Sequence, residues 1–227
     1  MNNYSQKAGI APVVFDHWLH RAKFTCRICH IDIGFVMKAE ATDINAADNI
    51  NGYYCGSCHD GKRVVEGKVI FAACALKYTA EEEKRCVKCH SFEKNAPREY
   101  DYKTFTEDLP RLSGPLIDWE KAEIEGKISP IDYLEGISFK RDPLEAQKDF
   151  TIRVKTWRIA DVIFSHKKHV AWNGCEVCHP SIFPSTKKGT VKYTMDDIME
   201  GKYCGVCHVP VAFSVWLCRK CHKNPQM

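Results

Sequence analysis

The chain has 227 residues, 13 of them cysteine, with 33 Lys and Arg against 29 Asp and Glu. It is too long for a disulfide-stapled mini-protein, yet too poor in bulky aliphatics to build a protein-only core around every cysteine-rich stretch. No run reaches the roughly 18 apolar residues needed to cross a bilayer, which excludes a membrane-spanning helix, and the formal charge of +4 is a weak argument for nucleic-acid binding.

From the N-terminus, the first pattern is a His-x-x-His pair, His17 and His20, followed by Cys26-x-x-Cys29-His30. Met37 comes next, then Cys55-x-x-Cys58-His59, an unpaired Cys74, the acidic run Glu81-Glu82-Glu83, and Cys86-x-x-Cys89-His90. We expect Cys74 to be buried and inert and the acidic run to be a solvated helix face. Residues 91–160 hold neither cysteine nor histidine, but Trp119, Tyr133, Phe139, Phe150 and Trp157 argue against disorder. Within this stretch Asp118 is placed to cap a short helix over Trp119–Glu125, which Gly126 would stop. Asp142-Pro143 suits a second helix start, and the alternation of Phe150–Lys155 suits a strand. The segment reads as an ordered strap whose work is packing and spacing.

The pattern then repeats. Residues 163–208 align with 14–59 without a gap, at a constant offset of 149. His166 and His169 match His17 and His20; Cys175, Cys178 and His179 match the first motif; Cys204, Cys207 and His208 match the second. The third motif, Cys218-x-x-Cys221-His222, starts 14 positions after Cys204, whereas Cys86 starts 31 after Cys55. The first copy therefore carries 17 extra residues, Cys74 among them.

Six Cys-x-x-Cys-His strings have one chemistry that explains every residue. Two thiols at this spacing reach the two vinyl groups of one porphyrin, and the next residue places an imidazole under the iron. Tetrahedral zinc sites could also use Cys-x-x-Cys pairs, but they give no reason for six trailing histidines. With six covalently attached haem c groups, the propionates and ferric irons would bring the net charge to about −2, and to about −8 on reduction. His30, His59, His90, His179, His208 and His222 are then the proximal iron ligands. The four remaining histidines, His17, His20, His166 and His169, are candidates for the opposite faces, since side chains at i and i+3 share one side of a helix. Four distal histidines cannot serve six irons. Methionine is the usual alternative, and Met37, Met195 and Met199 are the interior candidates, although methionine also serves as a core filler. Haem attachment of this kind takes place outside the cytoplasmic membrane in bacteria. The opening Met1–Lys7 has no charged and then apolar pattern of a secretory leader, so an export signal removed from the chain is expected.

Phe15-Asp16-His17-x-x-His20 ahead of the first motif, Phe164-Ser165-His166-x-x-His169 ahead of the fourth, and Lys202-Tyr203-Cys204-Gly205-Val206-Cys207-His208 together resemble the class III multihaem cytochromes. The resemblance is to the triheme c-seven type, known as single domains and tandem arrays in metal-reducing bacteria, and it covers about 1–90 and 161–227. It implies a crossed distal assignment, with His20 on the His30 haem, His17 on the His59 haem, His169 on the His179 haem and His166 on the His208 haem. Single triheme members use a histidine just before the second motif for the third haem. Here those positions are Asn49-Ile50-Asn51 and Ile198-Met199-Glu200. The departure resembles tandem members that use methionine, which implies Met37 for the His90 haem and Met195, or next Met199, for the His222 haem.

The expected fold is haem-dominated, mostly coil with short α-helices and little β. Triheme modules over 1–92 and 161–227 would be joined by the strap over 93–160. The expected function is electron transfer in a respiratory or extracellular chain, in the periplasm or at the outer surface, with a filament subunit as one version. Partners would be other multihaem cytochromes or redox proteins, or further copies of the chain, and neither nucleic acid nor substrate. The rival expectation is a multihaem reductase with one open-faced haem.

Overall fold

The computed structural model describes residues 4–77, 79–80, 84–92, 100–142, 145, 148–155 and 159–224. Glu81–Glu83, Pro143 and Trp157 lie outside them. The first copy runs through α1 (His17–Lys23), a π-turn over Ile28–Ile33, α2 (Ala46–Ile50), a 3-10 turn over Tyr54–Ser57, a hairpin of β1 (Val64–Val65) and β2 (Lys68–Val69), and a 3-10 turn over Cys86–Lys88. The strap carries α3 (Tyr102–Phe105), α4 (Trp119–Ile124) and β3 (Phe150–Ile152). The second copy has β4 (Asp161–Phe164), α5 (His166–Asn173), α6 (Met195–Met199), α7 (Gly205–His208), α8 (Cys218–Cys221) and β5 (His222–Asn224). The fold is mostly coil with short helices, as expected. Among the described residues the longest helix has eight residues, well below the length at which a helix sustains itself in water. None is long and apolar enough to cross a membrane.

The duplication read from the sequence is carried into three dimensions at the level of single hydrogen bonds. Helix α2 opens with a capping box between Asn45 and Asp48, and α6 opens with the same box between Thr194 and Asp197, 149 positions on. Both helices end at a glycine in the left-handed region, Gly52 at φ 82° and Gly201 at φ 83°. The second motif of each copy then lies hard against the helix before it. A Cβ on Gly56 would sit 1.9 Å from the Asn49 carbonyl oxygen, and one on Gly205 the same distance from that of Ile198. Glycine is the residue that fits there.

The third motif returns to the start of its copy in both cases. Val13 forms an antiparallel bridge with His90, and Val162 pairs with His222. The 17 extra residues of copy one leave this docking untouched. Part of them form the β1–β2 hairpin, because Phe71 follows His59 by 12 positions and Phe213 follows His208 by five. The others lie between Ala73 and Cys86. Ala73 and Val215 are equivalent by their amide bonds to the carbonyls of His59 and His208.

The apolar core of the polypeptide sits in the strap and against both copies. Ala22 of α1 is buried with Leu109, Ile117, Ala122 and Ile128, and Phe105, Trp119 and Trp172 of α5 pack on them. Asp118 caps α4 as expected, accepting from the Lys121 amide, and Gly126 follows at φ 68°. The strap is stitched to copy one by exchange of backbone bonds between Lys23, Thr25 and Ile131, and by the Arg27–Asp132 ion pair. Arg141 reaches both copies, binding Asp32 at 2.5 Å and Glu176 at 2.9 Å. Glu120 and Asp118 pair with Lys168 and Lys220 of copy two. Strand β3 matches the expected start at Phe150, pairs with β4, and β4 pairs with β5. A segment expected to space two units thus holds them together.

The polypeptide exposes 15604 Å², whereas a compact chain of 26.0 kDa would expose about 10,500 Å². Large apolar side chains contribute to the difference, among them Trp216, 74% exposed beside Cys218.

Candidate functional site

Helix α1 carries His17 and His20 one turn apart, and Phe15 packs on both rings, edge-on to His17 and tilted at 4.4 Å from His20. Helix α5 repeats this with Phe164, His166 and His169. The imidazoles then face motif histidines. His17 stands opposite His30 with ring centroids 6.4 Å apart, His20 opposite His59 at 6.3 Å, and His169 opposite His208 at 6.1 Å. Two bonds of about 2 Å to one metal, plus roughly 1 Å from each bonded nitrogen to its ring centre, place trans imidazoles about 6 Å apart. The three pairs match that spacing.

The pairing is the reverse of the crossed one expected from the resemblance. His17, not His20, faces His30; His20, not His17, faces His59; and His169, not His166, faces His208. His30 lies within the π-turn at Ile28–Ile33, its ring centre 6.4 Å from that of His17 in the first turn of α1. The Nδ1 bond of His20 to the Asp16 carbonyl and its contact with Phe15 hold that ring on the His59 side.

The ring nitrogens are assigned by their surroundings. In eight of the ten histidines Nδ1 lies within hydrogen-bond distance of a backbone carbonyl: Asp16 for His20, Phe35 for His30, Ala11 for His90, Lys148 for His166, Ser165 for His169, Phe183 for His179, Phe213 for His208 and Ala160 for His222. A carbonyl accepts only from a protonated Nδ1, which leaves the Nε2 lone pair for a metal. For His59 the buried Nδ1 has no partner at full hydrogen-bond geometry, although the nearby Phe71 carbonyl favours its proton. Burial favours the neutral, ligating form of His17, His20, His30, His59, His169 and His208. It is the main reason that His17 and His59 are pulled down to about 4, with the facing histidine's charge a smaller cause. Burial also lowers His20, His30, His169 and His208. Sequence reasoning missed these carbonyl acceptors, although a phenylalanine four or five positions after His30, His179 and His208 was there to be read.

Partial burial raises the thiols of Cys26, Cys29, Cys55, Cys58, Cys178, Cys204, Cys207 and Cys221 rather than activating them. Burial first, and neighbouring thiols second, push Cys29 and Cys207 up to about 12 and Cys55 and Cys204 to about 11. Thiols held in this state are poor thiolate ligands and poor dithiol nucleophiles. Among the described residues no three His, Cys, Asp or Glu converge to hold a bare metal ion, and all 13 cysteines are free of disulfides. This donor set suits haem c: paired neutral imidazoles across a gap, with un-ionised thiols alongside.

The mutual effects of the thiols show how the motifs neighbour one another. Cys55 and Cys58 act on Cys29, Cys89 acts on Cys55, Cys26 acts on Cys178 and Cys207, and Cys221 acts on Cys204. The third, second and first motifs thus form a series that meets the fourth and fifth, and the fifth meets the sixth. Cys74 lies in the same series beside Cys55 and Cys86, and its thiol is half-buried. Met37 is half-buried in the loop after the π-turn, while Met195 and Met199 begin and end α6, 47% and 41% exposed.

Comparison with known proteins agrees with this donor set. The family described as cytochrome c7 and related cytochrome c matches residues 13–96 and 162–224. Among solved structures, a c7-type three-heme cytochrome domain is 38% identical, with a TM-score of 0.31, over 34% of this chain and 93% of that one. The C-terminal hexaheme fragment of another protein is 24% identical (TM-score 0.30), over 95% of this chain and 92% of that one. The N-terminal hexaheme fragment of the same protein is also 24% identical (TM-score 0.26), over 94% and 93%. Among curated proteins no relative matches.

Proposed function

The chain belongs to the family of cytochrome c7 and related c-type cytochromes, multihaem proteins that transfer electrons through covalent haem c, and from that premise we propose that it is a six-haem electron carrier. Haem supplies a one-electron iron couple; the polypeptide supplies the ligands, the spacing and the dielectric. The observation that carries the proposal is the set of facing imidazoles, His17 with His30, His20 with His59 and His169 with His208. Two nitrogen ligands on opposite faces leave an iron no open position for substrate, which favours a carrier over a reductase. By the repeat, His166 takes the partner equivalent to that of His17, namely His179. Met37 is the proposed ligand opposite His90, and Met195, or next Met199, the one opposite His222.

The proposed setting is a respiratory or extracellular electron-transfer chain, in the periplasm or at the outer surface. The proposed partners are other multihaem cytochromes or redox proteins, with self-association as a filament subunit one version. The denatured holoprotein should weigh more than the polypeptide by six haems that detergent and heat do not extract. Carbon monoxide should bind the fully reduced protein poorly. Four haems by mass would overturn the stoichiometry. Rapid stoichiometric binding of carbon monoxide at one haem, with turnover of nitrite, hydroxylamine or sulfite, would overturn the carrier reading.

A further inference from the structure

Arg21 is a residue of the first copy alone; the aligned position in the second copy is Val170. It lies one turn after His17 on α1, and its guanidinium reaches beyond its own copy. Nη1 donates to the carbonyl of Val211, whose amide is bonded to the carbonyl of Cys207 in the fifth motif. The guanidinium carbon stands 4.6 Å from the Trp119 ring of the strap and 5.0 Å from the Trp172 ring of α5. Cys26 of the first motif and Cys207 of the fifth are both within its electrostatic reach. Among the described residues no carboxylate accepts from it. A guanidinium half-buried between two indoles, with one carbonyl and no counter-ion, is costly to keep, and it stays charged throughout the neutral range.

We propose that Arg21 is a positioning residue of the junction between the two triheme units, a fixed cation acting at once on the cofactors held by Cys26 and Cys207 and raising the reduction potentials of both. The proposal rests on the reading of the chain as a multihaem electron carrier. Reduction of a ferric iron adds one electron and removes one unit of positive charge, so a nearby fixed cation favours the ferrous form. The effect is largest where the surroundings are apolar.

The test compares the holoprotein with Arg21→Gln and Arg21→Lys, following haem methyl signals by NMR through a redox titration at pH 7. Arg21→Gln should lower the potentials of the two haems on Cys26/Cys29 and Cys204/Cys207 and leave the other four in place. Arg21→Lys, which keeps the charge, should restore most of the shift. Unchanged potentials, a uniform shift of all six, or an Arg21→Lys protein as low as Arg21→Gln would overturn the assignment. If Arg21→Gln loses haem, the parent still decides: the two junction haems should be reduced before the haems on Cys55/Cys58 and Cys175/Cys178, which share bis-histidine ligation, and their reduction after those two would overturn it. Failure of the carrier reading is separate, since it would appear in the parent as carbon monoxide binding whatever stands at position 21.

Discussion

Replacing His20 with Ala tests the pairing of imidazoles directly. Two side chains three residues apart on a helix are displaced by about 4.5 Å along its axis, while a metal–ligand bond tolerates roughly 0.2 Å. Exchanging the partners of His17 and His20 would therefore need α1 to slide by about twenty times what the bonds allow. The observed separations, 6.4 Å for His17–His30 and 6.3 Å for His20–His59, already fit one iron each without such a slide. His20→Ala should convert one haem in six, about one sixth of the ferric low-spin signal, to high spin. The altered haem should be the one on Cys55 and Cys58. His17→Ala should instead alter the haem on Cys26 and Cys29, and added imidazole should restore low spin in both variants. Electron paramagnetic resonance counts the spins, and NMR assigns the haem through its thioether links. A high-spin haem on Cys26 and Cys29 in His20→Ala would restore the crossed arrangement and refute the argument.

Arg141→Ala should leave the Asp32 carboxylate, whose side chain has 0% exposure, buried without its partner, at a cost of about 3–5 kcal/mol in chemical denaturation; a loss under 1 kcal/mol would show the link to be idle. The same cluster should weaken in acid. Burial pushes the Glu176 carboxyl up, but its own backbone amide and Arg141 outweigh this and hold it below the usual 4.5. The folded form then binds fewer protons than the unfolded one, so the contribution is complete above that value and lost as pH falls through the depressed one. Glu176→Gln should flatten that part of the acid limb of a stability–pH curve. Gly56→Ala and Gly205→Ala each force a methyl to 1.9 Å from a backbone oxygen. Each should cost about 3 kcal/mol, the upper range for overpacking, and a parental melting temperature in either would contradict the contact.

The attachment motifs and the duplication were legible because covalent chemistry and repeat period are both written in one dimension. The α4 start at Asp118 and its stop at Gly126 were legible for a similar reason, since caps act within three or four residues. What could not be read was long-range. His17 and His20 lie on the same short helix, and only the path of the chain through the π-turn at Ile28–Ile33 decides which motif histidine meets which. The resemblance suggested a crossed arrangement, and the packing of Phe15 and the Asp16 carbonyl around His20 gives the straight one. The strap's share of the core was not legible from its aromatics. Ala22 and Trp172 are unremarkable in their own segments and become core residues only through Leu109, Ile117 and Ile128.

The two copies differ in loop length but keep several contacts around their motif histidines. The extra residues of copy one fall in the hairpin after His59 and in the stretch between Ala73 and Cys86. Between these stretches, Phe71 still packs on His59 as Phe213 packs on His208, at 4.5 and 4.4 Å. Beyond them, His90 still places Nδ1 2.6 Å from the Ala11 carbonyl, as His222 does with Ala160. Loop closure grows more costly only slowly with length, so such insertions are tolerated. A carbonyl displaced by a few tenths of an ångström would release a ring that must hold its metal to about 0.2 Å. Arg21 breaks the agreement in the opposite sense, as a substitution with no insertion, at the contact between copies. Two identical copies would present the same potentials to each other. A single cation at the contact, acting on one haem of each copy, would set those two apart from the like-ligated haems farther out.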